Sequence, residues 1–98
     1  MRVHWTETAI NHLLAIYEYI AQNSPVYAQA MVAKVLNRSE QLAAFPRSGR
    51  IVPEYAAEDL REIIEKPYRI IYRIQLEQID VVAVIHSAQL LSEDITVR

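Results

Sequence analysis

Arg69, Arg73 and His86 are the residues whose types and spacing could do chemistry. In a strand, positions four apart share a face, so Arg69 and Arg73 would point the same way. If the segment after Glu77 folds back as a hairpin, Arg69 comes near Val84 and one diagonal step from His86, at the end of the sheet away from the turn. A guanidinium can clamp a phosphate through two parallel hydrogen bonds, and an imidazole can act as acid or base near neutral pH. The plainer reading pairs Arg73 with Asp80 and leaves Arg69 solvated on an open sheet face, with His86 a polar strand end; exposed arginine on such a face is common. Arg47 and Arg50 sit in a loop that could reach the same place, and Arg61 and Gln89 flank it; these four are the candidate target-binding residues.

Other catalytic signatures are missing from the chain. It has one glycine, hence no phosphate-cradling glycine loop, and neither Ser-His-Asp nor H-E-x-x-H spacing. His4 and His12 lack metal-ligand spacing, and His12 reads as a polar helix position. Glu54, Glu62 and Glu65 could serve as bases, but carboxylates in loops and at sheet edges are usually solvated. There is no cysteine, so no disulfide or thiolate zinc site is possible. No metal or cofactor is expected.

Strands must position the arginines. Arg61 to Ile74 and Ile79 to His86 are dominated by β-branched and aromatic residues, interrupted only by Lys66-Pro67 and the polar group around Glu77, and read as three successive strands. With Leu76-Glu77 as a two-residue turn, Gln75 pairs with Gln78, Ile74 with Ile79, Arg73 with Asp80 and Tyr72 with Val81. Parity then sorts Tyr68, Ile70, Tyr72, Ile74, Ile79, Val81, Ala83 and Ile85 onto one apolar face. Arg69, Ile71, Arg73, Asp80, Val82, Val84 and His86 fall on the other.

Helices supply the cover. Val3-His4-Trp5 reads as a short edge strand, after which Thr6 or Thr8 can cap a helix running to about Gln22, its stripe carried by Ala9, Ile10, Leu13, Leu14, Tyr17, Ile20 and Ala21. Ser24-Pro25 starts a second helix, with serine as cap and proline at the first position, where its missing N–H costs nothing. Its apolar side is Ala28, Met31, Val32, Val35, Leu36, Ser39 and Leu42. A turn this short makes an antiparallel hairpin. Phe45 to Arg50 is the main break, and Pro53 keeps the extended stretch from Ile51 to Tyr55 off a central strand. The expectation is one α+β domain over residues 1–98, a two-helix hairpin packed on one face of a small, mainly antiparallel sheet in the order β-α-α-β-β-β. Leu13, Tyr17, Ile20, Met31, Val35, Ile70, Tyr72, Val81 and Ile85 should form its core.

Composition narrows the partners. At 98 residues the chain supports one modest core, and 52% hydrophobic residues argue for a packed fold. The formal net charge of −2 lacks the basic excess usual for phosphate-driven nucleic-acid binding. Seven of the ten basic residues nevertheless lie between Arg38 and Arg73, so a local basic patch remains available. The N-terminal residues lack a signal-peptide core, and no apolar run could span a bilayer; a cytoplasmic protein with no membrane partner is expected.

Several segments together resemble the RelE/ParE toxin superfamily: Trp5-Thr6-Glu7-Thr8-Ala9, Tyr19-Ile20-Ala21 with Ser24-Pro25, Leu42 to Arg50, Arg61-Glu62-Ile63, Pro67 to Arg73, and Val84-Ile85-His86. The resemblance spans nearly the whole chain. It implies the β-α-α-β-β-β fold and the growth-inhibiting half of a type II toxin–antitoxin pair, neutralised by a cognate antitoxin in a hetero-oligomer. RelE-like members cleave mRNA in the ribosome with arginine and other basic or tyrosine residues around the scissile phosphate. ParE-like members lack that set and inhibit DNA gyrase by binding it. Arg69 matches the sheet arginine of the nucleases, and Arg73 and His86 would complete a catalytic group in that case. Where the family often has a small pair followed by arginine, this chain has Ser87-Ala88-Gln89, and its tail from Leu90 to Arg98 has no tyrosine or lysine. Gln89 cannot carry charge, which removes a strong electrostatic contributor and tilts the expectation towards gyrase inhibition.

Overall fold

The computed structural model describes residues 1–91. A first strand, β1 (Arg2–Trp5), leads into helices α1 (Glu7–Ala21) and α2 (Pro25–Gln41); strands β2 (Arg50–Ile51), β3 (Leu60–Glu65), β4 (Tyr68–Ile74) and β5 (Gln78–His86) follow. They form one sheet in the order β1-β5-β4-β3-β2, with β1 parallel to β5 and every other pair antiparallel. The α+β expectation holds, with one strand more than anticipated. That strand, β2, is two residues long and ends before Pro53.

Local chemistry sets the element ends. Thr6 Oγ1 accepts from the Ala9 N–H and donates to the Val81 carbonyl, so one side chain both caps α1 and ties it to β5. Ser24 Oγ accepts from the Tyr27 N–H with Pro25 at the first helical position. Gln75 N–H donates to the Gln78 carbonyl at 2.8 Å, closing the Leu76-Glu77 turn. Ile74 faces Ile79, Arg73 faces Asp80 and Tyr72 faces Val81, as the hairpin register required.

Beyond Tyr72 the register slips. Ile71 faces Ala83 while Tyr72 faces Val81, so Val82 is an extra residue in β5. One inserted residue reverses the faces of everything after it. Val84 therefore joins Ala9, Met31, Val35, Leu42, Ile63, Ile70, Tyr72, Ile79 and Val81 in the core beneath the helices. Ala83 and Ile85, expected there, lie on the opposite face in a second core with Val52, Leu60, Ile71, Val82 and Leu91. The other expected core residues divide: Met31, Val35, Ile70, Tyr72 and Val81 are buried, Leu13 and Ile20 pack at the margin, and Tyr17 stays half-exposed outside. Ile16, absent from the expected stripe, packs instead, while Ile10 and Leu14 on the same helix are 45% and 57% exposed.

Candidate functional site

Arg69 sits mid-face on β4, between Ile64 of β3 and Ile85 of β5, on the side away from the helices. It is not solvated: only 6% of it is exposed, because the segment after β2 and the residues after β5 close over it. Its guanidinium Nε donates to Glu62 Oε1 at 2.7 Å. Nη1 and Nη2 clamp the two oxygens of Glu54 at 2.9 and 2.8 Å, and Nη1 also donates to the Gln89 carbonyl at 2.8 Å. Four of its five N–H donors are thus spent inside the molecule. Glu62, 1% exposed, also accepts from Arg50 Nε, its cross-strand neighbour on β2. Two arginines and two glutamates make a neutral cluster. A buried guanidinium with bidentate partners is held firmly charged, the Glu54 hydrogen bond foremost and Glu62 next.

The two carboxylates are what the sequence reading missed, having treated Glu54 and Glu62 as solvated. For Glu62 a signal existed: it lies two residues before Ile64, the cross-strand partner of Arg69, and so shares its face. Glu54 comes from an irregular segment whose path no periodicity records. The hydrogen bond from Arg69 pulls its carboxyl down to about 2, against the opposing effect of burial, and the Leu91 N–H adds a bond to Oε2 at 3.0 Å.

Of the other sequence candidates, Arg50 and Gln89 line one cleft with Arg69, and the rest do not. His86, which parity placed on its face, is turned to the helix side by the Val82 bulge; it faces Tyr68 and meets that ring edge-on with centroids 6.2 Å apart. Arg73 shares the Arg69 face, and its Nη1 pairs with Asp59 at 3.0 Å. Arg61 is spent on main-chain carbonyls: Nη1 donates to Gly49 O at 3.0 Å and Nε to Glu58 O at 2.9 Å. Together with Tyr72, whose hydroxyl accepts from the Gly49 N–H and donates to the Pro46 carbonyl, it pins the loop carrying Arg47. Gly49 is required there, since a Cβ would lie 2.5 Å from the Glu62 carbonyl oxygen. Arg47 is exposed, and Arg50 keeps 64% of its side chain exposed while pairing with Glu62. Gln89 contributes its carbonyl to Arg69 and lines a cleft on either side of the sheet end. The tail beyond Leu91 lies outside the described residues.

Residues 3–91 match the family model described as ParE toxin of type II toxin-antitoxin system, parDE. The chain belongs to the ParE toxin family. Among relatives of this ParE-family toxin, Toxin RelE2 of Caulobacter vibrioides is 36% identical over 90 residues, covering 91% of this chain and 98% of the relative. Putative toxin Y4kP of Sinorhizobium fredii is 32% identical over 90 residues, covering 90% of each. The fold aligns with a chain of the chromosomal ParDE TA system from P. aeruginosa at a TM-score of 0.73, with 22% identity, covering 88% of this chain and 95% of that one. This ParE-family member is therefore a toxin of a type II toxin–antitoxin system with the RelE/ParE fold. Among the described residues no helix is long and apolar enough to cross a membrane.

Its chemistry follows from the cluster. With both carboxylates in place, Arg69 has one N–H without a partner among the described residues and a neutralised field, so a phosphate arriving there would have to displace Glu54 to be clamped. The cluster instead fastens the segment around Glu54 and the strap from Ser87 to Leu91 onto the open sheet face, covering the second core.

Proposed function

We propose that this toxin arrests growth by binding DNA gyrase, without catalysing a reaction, and that a cognate antitoxin holds it inactive in the cytoplasm. The observation that carries the reading is the engagement of Arg69 by Glu54 and Glu62. A ribosome-dependent nuclease needs that arginine free to meet a developing phosphate charge, where one preorganised donor is worth roughly 3 kcal/mol. Here its charge is matched by two carboxylates, and His86 stands on the other side of the sheet. A binding inhibitor requires only a complementary surface, which the exposed arginines, Arg47 in its loop and Arg50 at the start of β2, can join. Membership of the ParE toxin family and the likeness to a chain of a ParDE TA system support the antitoxin partner, in which an apolar segment folds onto the toxin on binding.

The test is induction of the chain in cells with two pulse labels, amino acid and thymidine, beside a supercoiling assay with purified gyrase. Thymidine incorporation falling first, with supercoiling inhibited in vitro, is expected. Immediate arrest of translation with cleaved mRNA and normal supercoiling would assign the chain to the nucleases instead.

A further inference from the structure

On the helix side of the sheet, at the end carrying His86, lies a cleft of about 400 Å³ between α1 and the strand pair β4–β5. Its walls are His12, Ala15, Ile16 and Tyr19 from α1, with Tyr68 and His86 from the strands. Among the described residues no carboxylate lines it, although the chain as a whole carries a net charge of −2.

The two histidines give the cleft its chemistry. β1 ends opposite Val81, so among the described residues β5 has no strand neighbour on that side from Val82 onward. His12 fills the gap: its Nδ1 accepts from the Val84 N–H at 3.2 Å. An imidazole that accepts at Nδ1 carries its proton on Nε2. Burial lowers the pKa of His12, favouring that neutral tautomer. His86 has the same commitment, its Nδ1 accepting from the Ala88 N–H at 3.2 Å. Both rings therefore offer Nε2–H donors that have no partner among the described residues. The phenols of Tyr19 and Tyr68 add further donors, while Ala15, Ile16 and Val84 supply apolar wall. A site of this kind, apolar with a few polar donors in its lining, selects a ligand that carries an acceptor next to an apolar group.

We propose that this cleft takes an acidic side chain adjacent to a bulky aliphatic one, presented by an extended segment of the antitoxin, with the carboxylate received by His12 and His86. The proposal rests on the antitoxin reading above for the source of the segment. A carboxylate has two charged acceptor oxygens, one for each Nε2–H donor, whereas a neutral amide oxygen gains less from each.

The probes are the capped dipeptides acetyl-Leu-Asp-amide and acetyl-Leu-Asn-amide, titrated into the ¹⁵N-labelled full chain. The aspartyl peptide should shift the Val84 and Ala88 amides and the two imidazoles, and the asparaginyl peptide should bind about tenfold more weakly. Ala15→Trp, which fills the cleft from an exposed helix position, should abolish the shifts; the same change at exposed Ala33 on α2 should not. His86→Ala should erase most of the preference for aspartate. Equal affinity for the two peptides, shifts confined to other regions, or binding undiminished by Ala15→Trp would each overturn the proposal. The titration uses neither gyrase nor growing cells, so its failure leaves the gyrase reading standing, and failure of the supercoiling assay leaves the cleft standing.

Discussion

Arg69 shows how one residue type can suggest a function that its neighbours withdraw. Removing its side chain leaves Glu62 buried and Glu54 stripped of its clamp, and breaking a buried pair from one side costs about 3–5 kcal/mol. Arg69→Ala is therefore expected to lower the urea midpoint sharply, and any loss of toxicity must be compared with that loss of fold. Glu54 gives a pH signature. Its carboxyl titrates near 2 when folded and near 4.5 when unfolded, so the unfolded chain takes up the proton first as the solution is acidified. The stability this group contributes is complete above about pH 4.5 and is lost as pH falls towards 2. Glu54→Gln should flatten the urea midpoint across that window and lower it at pH 7. A slope unchanged by the substitution would mean that the clamp does not form in solution.

At the level of elements, the Val82 bulge and the Gly49 loop decide what the sheet displays. The bulge lets β5 bury Val81 and Val84 under the helices and Ile85 on the far side. Deleting Val82 removes the extra residue and leaves Tyr72 with Val81, Ile71 with Ala83 and Arg69 with Ile85 in strict alternation, so Ile85 stays on the Arg69 face and His86 on the helix side. The expected result is a chain that still folds cooperatively with a lower thermal midpoint, having lost the Val82 side chain from the second core; a chain without a cooperative transition would show that the sheet needs the bulge itself. The loop holding Arg47 depends on the Tyr72 hydroxyl and on the missing Cβ at Gly49. Tyr72→Phe leaves a buried N–H and a carbonyl unpaired, at a cost of about 1–3 kcal/mol. Gly49→Ala forces the loop away from the Glu62 backbone and should cost about as much, read as a lower thermal midpoint with faster hydrogen exchange at Ser48 and Arg50.

For the whole molecule, the helix hairpin covers one side of the sheet and a short strap with an ion cluster covers the other, leaving Ile10, Leu14 and Leu36 exposed on the helices. A toxin with such surface should gain solubility and a higher thermal midpoint when expressed with its antitoxin, by simple linkage to binding. An unchanged midpoint in the purified pair would argue that the antitoxin grips the toxin weakly. The helices, their caps, the strand sequence and the β4–β5 hairpin turn were legible in the chain because each follows from nearby residues: Thr6 and Ser24 cap, Pro25 starts a helix, and Ile74 meets Ile79 around the two-residue turn Leu76-Glu77. The resemblance to the RelE/ParE superfamily was likewise carried by ordered local segments. The faces of β5 beyond the bulge were not legible. Parity fixes orientation only when one face is apolar and the other polar, and here Ile71, Val82, Ala83 and Ile85 meet a second core, so hydrophobicity constrained neither side. Nor could the sequence assign the state of Arg69. That was decided by Glu54 and Gln89, 15 and 20 residues away, which reach it only because the irregular segments after β2 and β5 fold over the sheet. Spacing along the chain named the arginine; tertiary packing supplied the carboxylates that neutralise it.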